Sequence, residues 1–198
     1  SLGLSDRALM DFTDVLSGRC SLERAAVPHP VIQGLSLITA PVTLPEQPLS
    51  REAMRDLLRQ ARERYDFILM DSPAGLGEGF QLACCGADRA IVVSTTDPAA
   101  LRDAQRTVTL LWGSIPRLHL VVNRVQPKLL RQLRTTIDDA MDAAGLPLLG
   151  IVPEDPQVLL CANREQPLIL CASRGAATAY LNIAKRLLGQ RVPLMRIR

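Results

Sequence analysis

Tyr65-Asp66-Phe67-Ile68-Leu69-Met70-Asp71-Ser72-Pro73-Ala74-Gly75 is the stretch whose reading decides the fold. Phe67–Asp71 is too short for a helix and apolar without polar alternation, as a strand covered on both faces should be. Four more runs of this kind flank it: Leu35–Ala40 before it, and Ala90–Thr95, Leu118–Asn123 and Leu148–Val152 after it. Amphipathic stretches lie between them. Arg51–Arg64 puts Met54, Leu57, Leu58 and Ala61 on one face behind the N-cap candidate Ser50. Ala99–Trp112 carries Leu101, Ala104, Val108 and Leu111, begins at Asp97-Pro98 and stops at Gly113. Lys128–Ala144 is expected to be one helix ending at Gly145, and Ala176–Leu188 another ending at Gly189. A shorter helix is expected over Asp6–Leu16, closed by Gly18. Strand–helix–strand repetition of this sort predicts an α/β fold with a mostly parallel, doubly wound sheet and right-handed crossovers.

Composition sets the outer bounds. The chain has 198 residues, 47% of them hydrophobic and 22% charged, which fits a globular chain and excludes a disordered or fibrous one. A net charge of +3 makes no electrostatic case for nucleic acid. Of the 23 basic residues only Lys128 and Lys185 are lysines. Five cysteines without a C-x-x-C pair predict reduced, buried thiols of a cytoplasmic protein rather than a disulfide frame. His29 and His119 are isolated and suggest no catalysis.

Ligands of open parallel sheets bind beyond the carboxyl ends of the strands, so the residues after each run matter most. Asp71, ending an apolar run before a small glycine-containing turn, is placed as a Walker B carboxylate is, reaching magnesium through water. The same residues also fit an ordinary strand end closed by an Asp-Ser-Pro turn. Asn123-Arg124 follows the Leu118–Asn123 run, where an amide can read a purine edge and a guanidinium can stack on the base; an Asn-led turn is the other reading. Pro153-Glu154-Asp155-Pro156 follows the last run, and its two prolines predict a rigid loop able to close over a base.

The order and flanks of these strand ends resemble the MinD branch of the MinD/ParA family of deviant P-loop ATPases. The resemblance covers nearly the whole chain. It rests on Leu16–Ala25 (LSGRCSLERA), Tyr65–Phe80 (YDFILMDSPAGLGEGF), Ala87–Val93, Leu101–Arg106, Val122–Val125, Leu146–Asp155 (LPLLGIVPED) and Asn182–Gly189. DSPAG, PLLGIVPED and the NRV strand end together are its specific part.

The resemblance implies a division-septum ATPase with ATP and Mg2+ as cofactors, ATP-dependent self-association, and cycling between cytoplasm and the inner membrane face. Asp71 would be the switch II carboxylate that orders the magnesium–water shell, and Pro73, Ala74 and Gly75 the loop that moves when the γ-phosphate leaves. Asn123, Arg124, Pro153 and Asp155 would surround the adenine. The helix bearing Arg102, Asp103 and Arg106 would receive a MinE-like activator, and a MinC-like division inhibitor is a further partner. Residues 1–189 would form the ATPase domain and residues 190–198 a short basic tail, in which Pro193 leaves too little length for a stable membrane helix.

The family's G-x-x-x-x-G-K-[ST] loop does not occur in this sequence, and neither lysine follows a glycine-rich turn. The expectation is therefore a chain truncated ahead of its first strand–helix–strand unit, which by itself lacks hydrolysis. A non-catalytic interaction module on the same scaffold, or a ParA-like partition or flagellar-number regulator, are the alternatives. Adjacent Cys84 and Cys85 raise the iron–sulfur carriers of the family, but neighbouring helical side chains point about 100° apart, which favours two small packing residues.

Overall fold

The structure is a computed structural model and describes residues 2–4, 7–41, 43 and 48–195. The chain divides into two compact units, Ser1–Ala87 and Asp88–Arg198.

The first unit contains α1 (Phe12–Leu16), α2 (Leu22–Ala25), β1 (Val27–Pro28), β2 (Ser36–Leu37), α3 (Arg51–Arg62) and α4 (Glu78–Ala83). Local chemistry starts each helix. Asp11 and Asp14 form a reciprocal capping box at α1, with Thr13 N donating to Asp11 Oδ1 at 2.7 Å and Asp11 N to Asp14 Oδ2 at 2.9 Å. That cap places the helix start later than expected, and Asp6 lies outside the described residues. Ser50 Oγ accepts from Ala53 N at 3.2 Å, as its place before α3 predicts. The expected face of α3, Met54, Leu57, Leu58 and Ala61, is buried against Leu22 of α2, Leu82 of α4 and Cys85.

Two expected strands come out differently. Leu35–Ala40 does not join a parallel sheet: β2 pairs antiparallel with β1, and Thr39 makes one parallel bridge to Asp11. Phe67–Asp71 forms no ladder, because no strand runs beside it among the described residues. It keeps the alternation of an extended chain all the same. Ile68 and Met70 pack on the α3 core, while Phe67 is 62% and Leu69 85% exposed.

The second unit holds β3 (Ala90–Ser94), α5 (Pro98–Leu111), β4 (Leu118–Val125), α6 (Pro127–Leu133), α7 (Ile137–Ala144), β5 (Leu148–Pro153), α8 (Pro156–Asn163), α9 (Leu168–Cys171) and α10 (Ala176–Leu187). The strands form a parallel sheet in the order β3-β4-β5. One face buries Val92, Leu120, Val122 and Ile151 under Ala104 and Val108 of α5 and Ala140 and Ala144 of α7. The other buries Val121, Leu149 and Val152 under Ala176, Ala179 and Ile183 of α10. This is the doubly wound arrangement. It depends on Gly150 of β5, where a Cβ would stand 2.3 Å from Ile183 Cγ1, so no larger residue lets α10 approach so closely.

The helix expected over Lys128–Ala144 is broken in two. Arg134 takes a left-handed conformation at φ 54°, and Thr136 caps α7 through a capping box with Asp139 (Thr136 N to Asp139 Oδ2, 2.6 Å). The loop expected after β5 is instead the start of a helix. Asp155 caps α8 with Pro156 at its first position, as Asp97 and Pro98 do for α5. Of the cysteines only Cys85 and Cys161 are buried; Cys20, Cys84 and Cys171 keep partial exposure, so the expectation of five buried thiols is corrected. Cys84 caps the end of α4, and Cys85 lies beyond it. Among the described residues no helix is long and apolar enough to cross a membrane.

Candidate functional site

In the first unit the extended segment delivers Asp71 to the surface and then opens into an exposed loop, Ser72–Gly77, ahead of α4. The Asp71 side chain is exposed and accepts no hydrogen bond from the described residues. Gly75 bends the loop at φ 86°, with open space where a Cβ would stand. The loop's own side-chain bond is weak, Ser72 Oγ donating to the Pro73 carbonyl at 3.2 Å. No group of three or more His, Cys, Asp or Glu able to hold a metal occurs among the described residues. One free carboxylate of this kind suits a cation that arrives with its own phosphate and water ligands.

In the second unit the strand ends are tightly built. Val122 pairs with Ile151, but the next pair is Val125 with Pro153, so β4 carries one residue more than β5 between them. The surplus is a β-bulge at Asn123-Arg124, a device that re-aims side chains at the rim of a sheet. Arg124 stands at φ 53°, a left-handed conformation uncommon for a residue with a side chain. Three bonds hold it there. Its amide donates to Asn123 Oδ1 at 2.9 Å, its Nε donates to Glu154 Oε2 at 2.9 Å, and the Glu154 amide returns to the Val125 carbonyl at 3.0 Å. The Asn123 amide nitrogen and the open face of the Arg124 guanidinium are thereby left at the carboxyl end of the sheet.

Asp155 is brought beside them, but its carboxylate is engaged by the protein. Oδ1 accepts from Gln157 N at 2.9 Å to cap α8, and Oδ2 accepts from Ala176 N at 2.9 Å at the start of α10. Gly175 makes that docking possible: a Cβ there would stand 2.2 Å from Asp155 Oδ2. Pro153, half-buried, closes the strand beneath. Asn123, Arg124, Pro153 and Asp155 are thus assembled in one place, while Asp71, Pro73, Ala74 and Gly75 belong to the other unit. Sequence reading passed over Glu154 and Gly175 as site residues. Nothing local marks Glu154 as the partner of a residue 30 positions away.

The expected partner helix is α5. Arg102, Asp103 and Arg106 are all exposed on it, with Arg106 Nη1 and Asp103 Oδ1 3.3 Å apart. Beside them lies a groove of about 350 Å³ between α5 and α7, lined by Arg102, Gln105, Thr135, Thr136, Asp139 and Asp142. At its α5 end, hydrogen bonds from the Thr95 hydroxyl and the Ala100 amide hold the Asp97 carboxyl below the usual carboxylate range.

Known proteins share this arrangement. The AAA domain family model matches residues 12–124, a span that takes in both Asp71 and Asn123-Arg124. The septum site-determining protein MinD of Bacillus subtilis is 35% identical over 98% of this chain and 74% of its own length. The MinC:MinD cell division protein complex of Aquifex aeolicus superposes with a TM-score of 0.89 at 32% identity, over 98% of this chain and 79% of that one. MinD of Pyrococcus horikoshii, solved in complex with Mg-ADP, shares the fold at a TM-score of 0.78 and 23% identity, over 94% of this chain and 76% of that one. A matching domain model over more than half the sequence, and identity above 30% carried across nearly all of it, leave one assignment: the chain belongs to the MinD family of septum site-determining proteins.

Proposed function

We propose that these residues carry the base-reading and switch elements of a MinD-type ATPase that works in placing the division septum. The observation that carries the reading is the β4 bulge, which presents Asn123 and Arg124 at the carboxyl end of a parallel sheet. Asn123 hydrogen-bonds the edge of the adenine, and the Arg124 guanidinium, oriented by Glu154, stacks on its face. Pro153 walls the base. Asp155 fixes the loop by capping α8 and docking α10 rather than by touching the nucleotide. Asp71 orders the water shell of Mg2+, and Pro73–Gly75 is the segment that moves when the terminal phosphate is lost. Bound Mg-ATP supplies the charge and the scissile phosphate. The Pyrococcus relative complexed with Mg-ADP supports nucleotide and magnesium as the ligands.

Residues 1–189 hold this machinery, and residues 190–198 act as a tail. The Aquifex complex supports a MinC-like division inhibitor as one partner. The exposed face of α5, with Arg102, Asp103 and Arg106, is the docking surface for a MinE-like activator, and a second copy of the chain joins when ATP is bound. The tail is the proposed segment of peripheral membrane contact, through its side chains rather than a stable helix, for which Pro193 leaves too little length. Its described part is held down: Arg186 Nε and Nη2 donate to the Val192 carbonyl at 3.0 and 2.6 Å, and Met195 packs beside α10. That part must detach before Val192, Leu194 and Met195 enter an interface; Arg196, Ile197 and Arg198 lie outside the described residues.

Neither Lys128, in α6, nor Lys185, in α10, follows a phosphate-binding turn. Calorimetric titration of the 198-residue chain with Mg-ATP is therefore expected to give binding weaker than micromolar, lowered further by Asn123→Ala. Micromolar binding untouched by Asn123→Ala would overturn the reading.

A further inference from the structure

The nucleotide reading uses the carboxyl end of the sheet in the second unit and leaves its amino end without a role. Four short segments meet at that end. Residues 88–89 lead into β3, residues 112–117 join α5 to β4, residues 145–147 join α7 to β5, and residues 188–195 follow α10. Hydrogen bonds tie them together. Ala90 N donates to the Arg117 carbonyl and Leu120 N to the Pro147 carbonyl, both at 2.9 Å. Arg89 Nη1 donates to the Leu187 carbonyl at the end of α10 at 2.9 Å, and Arg186 Nη1 to the Leu149 carbonyl of β5 at 3.1 Å.

The two ends of the sheet differ in charge. The four segments carry Arg89, Arg117 and Arg191, all exposed, against one carboxylate, Asp88. At the carboxyl end, residues 95–97, 123–126 and 153–155 carry Asp97, Glu154 and Asp155 against Arg124 alone. The basic end also bears apolar surface. Trp112 is 71% exposed where α5 ends, and Leu110 in the last turn of α5 and Leu188 after α10 are exposed too. Single leucines in water need no explanation, but a tryptophan held out on a basic end does. Its loop is firmly built: Trp112 N donates to the Val108 carbonyl at 2.9 Å, and Ile115, three residues on, is buried.

We propose that this end of the second unit rests on an anionic lipid surface, with the Trp112 indole in the headgroup layer and Arg89, Arg117 and Arg191 facing the lipid phosphates. An indole joins an apolar body to one N–H donor, a combination that favours the boundary between headgroups and acyl chains. Arginines at an anionic leaflet add an attraction that salt screens. The tail lies at the same end, since Arg186 bonds the Val192 carbonyl as well as that of Leu149. The contact needs none of the tail's apolar side chains, and it rests on the reading above only in that both meet a membrane.

Trp112 is the only tryptophan of the chain, so its emission reports the contact without a label. The full chain is titrated at low salt with vesicles of phosphatidylglycerol and, separately, of phosphatidylcholine. Phosphatidylglycerol is expected to shift the emission to the blue and to shield the indole from acrylamide; phosphatidylcholine is expected to do neither, and added salt to reverse the shift. Arg117→Gln should weaken partitioning about fivefold, the effect of one basic residue at such a surface. Leu194→Ser with Ile197→Ser removes two apolar side chains of the tail at unchanged charge and should leave the blue shift in place. Sedimentation with phosphatidylglycerol vesicles while the emission stays unchanged would overturn the proposal and leave the tail as the contact. Equal shifts with the two lipids, or a shift lost in the Leu194→Ser, Ile197→Ser chain, would overturn it as well. A shift and an affinity that both survive those two substitutions support the Trp112 contact and count against the tail.

Discussion

The two halves of the candidate machinery rest on apolar runs of the same kind, and the structure treats them differently. Leu118–Val125 is the middle strand of a parallel sheet, with helices on both faces and its end pinned by Glu154 and Asn123. Phe67–Asp71 is extended but unpaired among the described residues, with one row of side chains on a core and the other in solvent. An apolar run specifies two faces for burial; pairing needs a neighbour as well. The consequence is functional. The strand end at Asn123-Arg124 is preorganised by its ladder, whereas the Asp71 loop has little among the described residues to hold it in one conformation, which suits the movement proposed for it.

The largest effect should come from truncating the buried leucine of the paired run, with an exposed leucine of the other run as its contrast. Leu120 is wholly buried, so Leu120→Ala is expected to cost about 2–5 kcal/mol in denaturant unfolding. Leu69→Ala, at 85% exposure, should stay within about 0.5 kcal/mol of the parent. Equal costs would mean that the Phe67–Asp71 segment is covered in solution and that the contrast is false.

Glycines sharpen the same contrast on a smaller scale. Gly150→Ala drives a methyl into Ile183 and should cost about 1–3 kcal/mol by overpacking. Gly75→Ala meets no neighbour and bears only the left-handed backbone penalty of about 1 kcal/mol. A Gly75→Ala variant as damaged as Gly150→Ala would place hidden structure around the Ser72–Gly77 loop.

The smallest effect is a pH dependence carried by the sheet. His119 of β4 is partly buried, and its Nδ1 has no partner among the described residues. Burial, helped by Arg89 and Arg117, holds its pKa below the ordinary 6.5. The unfolded chain therefore takes up a proton that the folded chain refuses, and stability falls as pH drops below about 6.5. His119→Gln should flatten that part of the unfolding profile; an unchanged slope would remove His119 as its source.

Much of this was legible in the residues. The caps Ser50 and Asp97-Pro98 and the small faces of α5 and α10 are local signals, and the helices follow them. The misses were physical rather than random. Asp155-Pro156 carries the signal that opens α5, but two prolines around an acidic pair also read as a rigid loop. Thr136-x-x-Asp139 restarts a helix that apolar periodicity alone runs straight through. The β4 bulge and the Asp155–Gly175 contact depend on residues far apart in sequence, which no local pattern records. Asp71 stands out in the sequence because strand-end chemistry is local; what its segment pairs with is not.

The most direct test of the central claim is an amide chemical-shift titration of the chain with Mg-ADP at millimolar concentration, with Mg-GDP as the comparison. Shifts at Asn123, Arg124 and Glu154 that are larger for the adenine nucleotide, with smaller ones at Asp71 and Gly75, are the predicted result. Shifts that spare Arg124 and Glu154, or that do not distinguish the two bases, would contradict it.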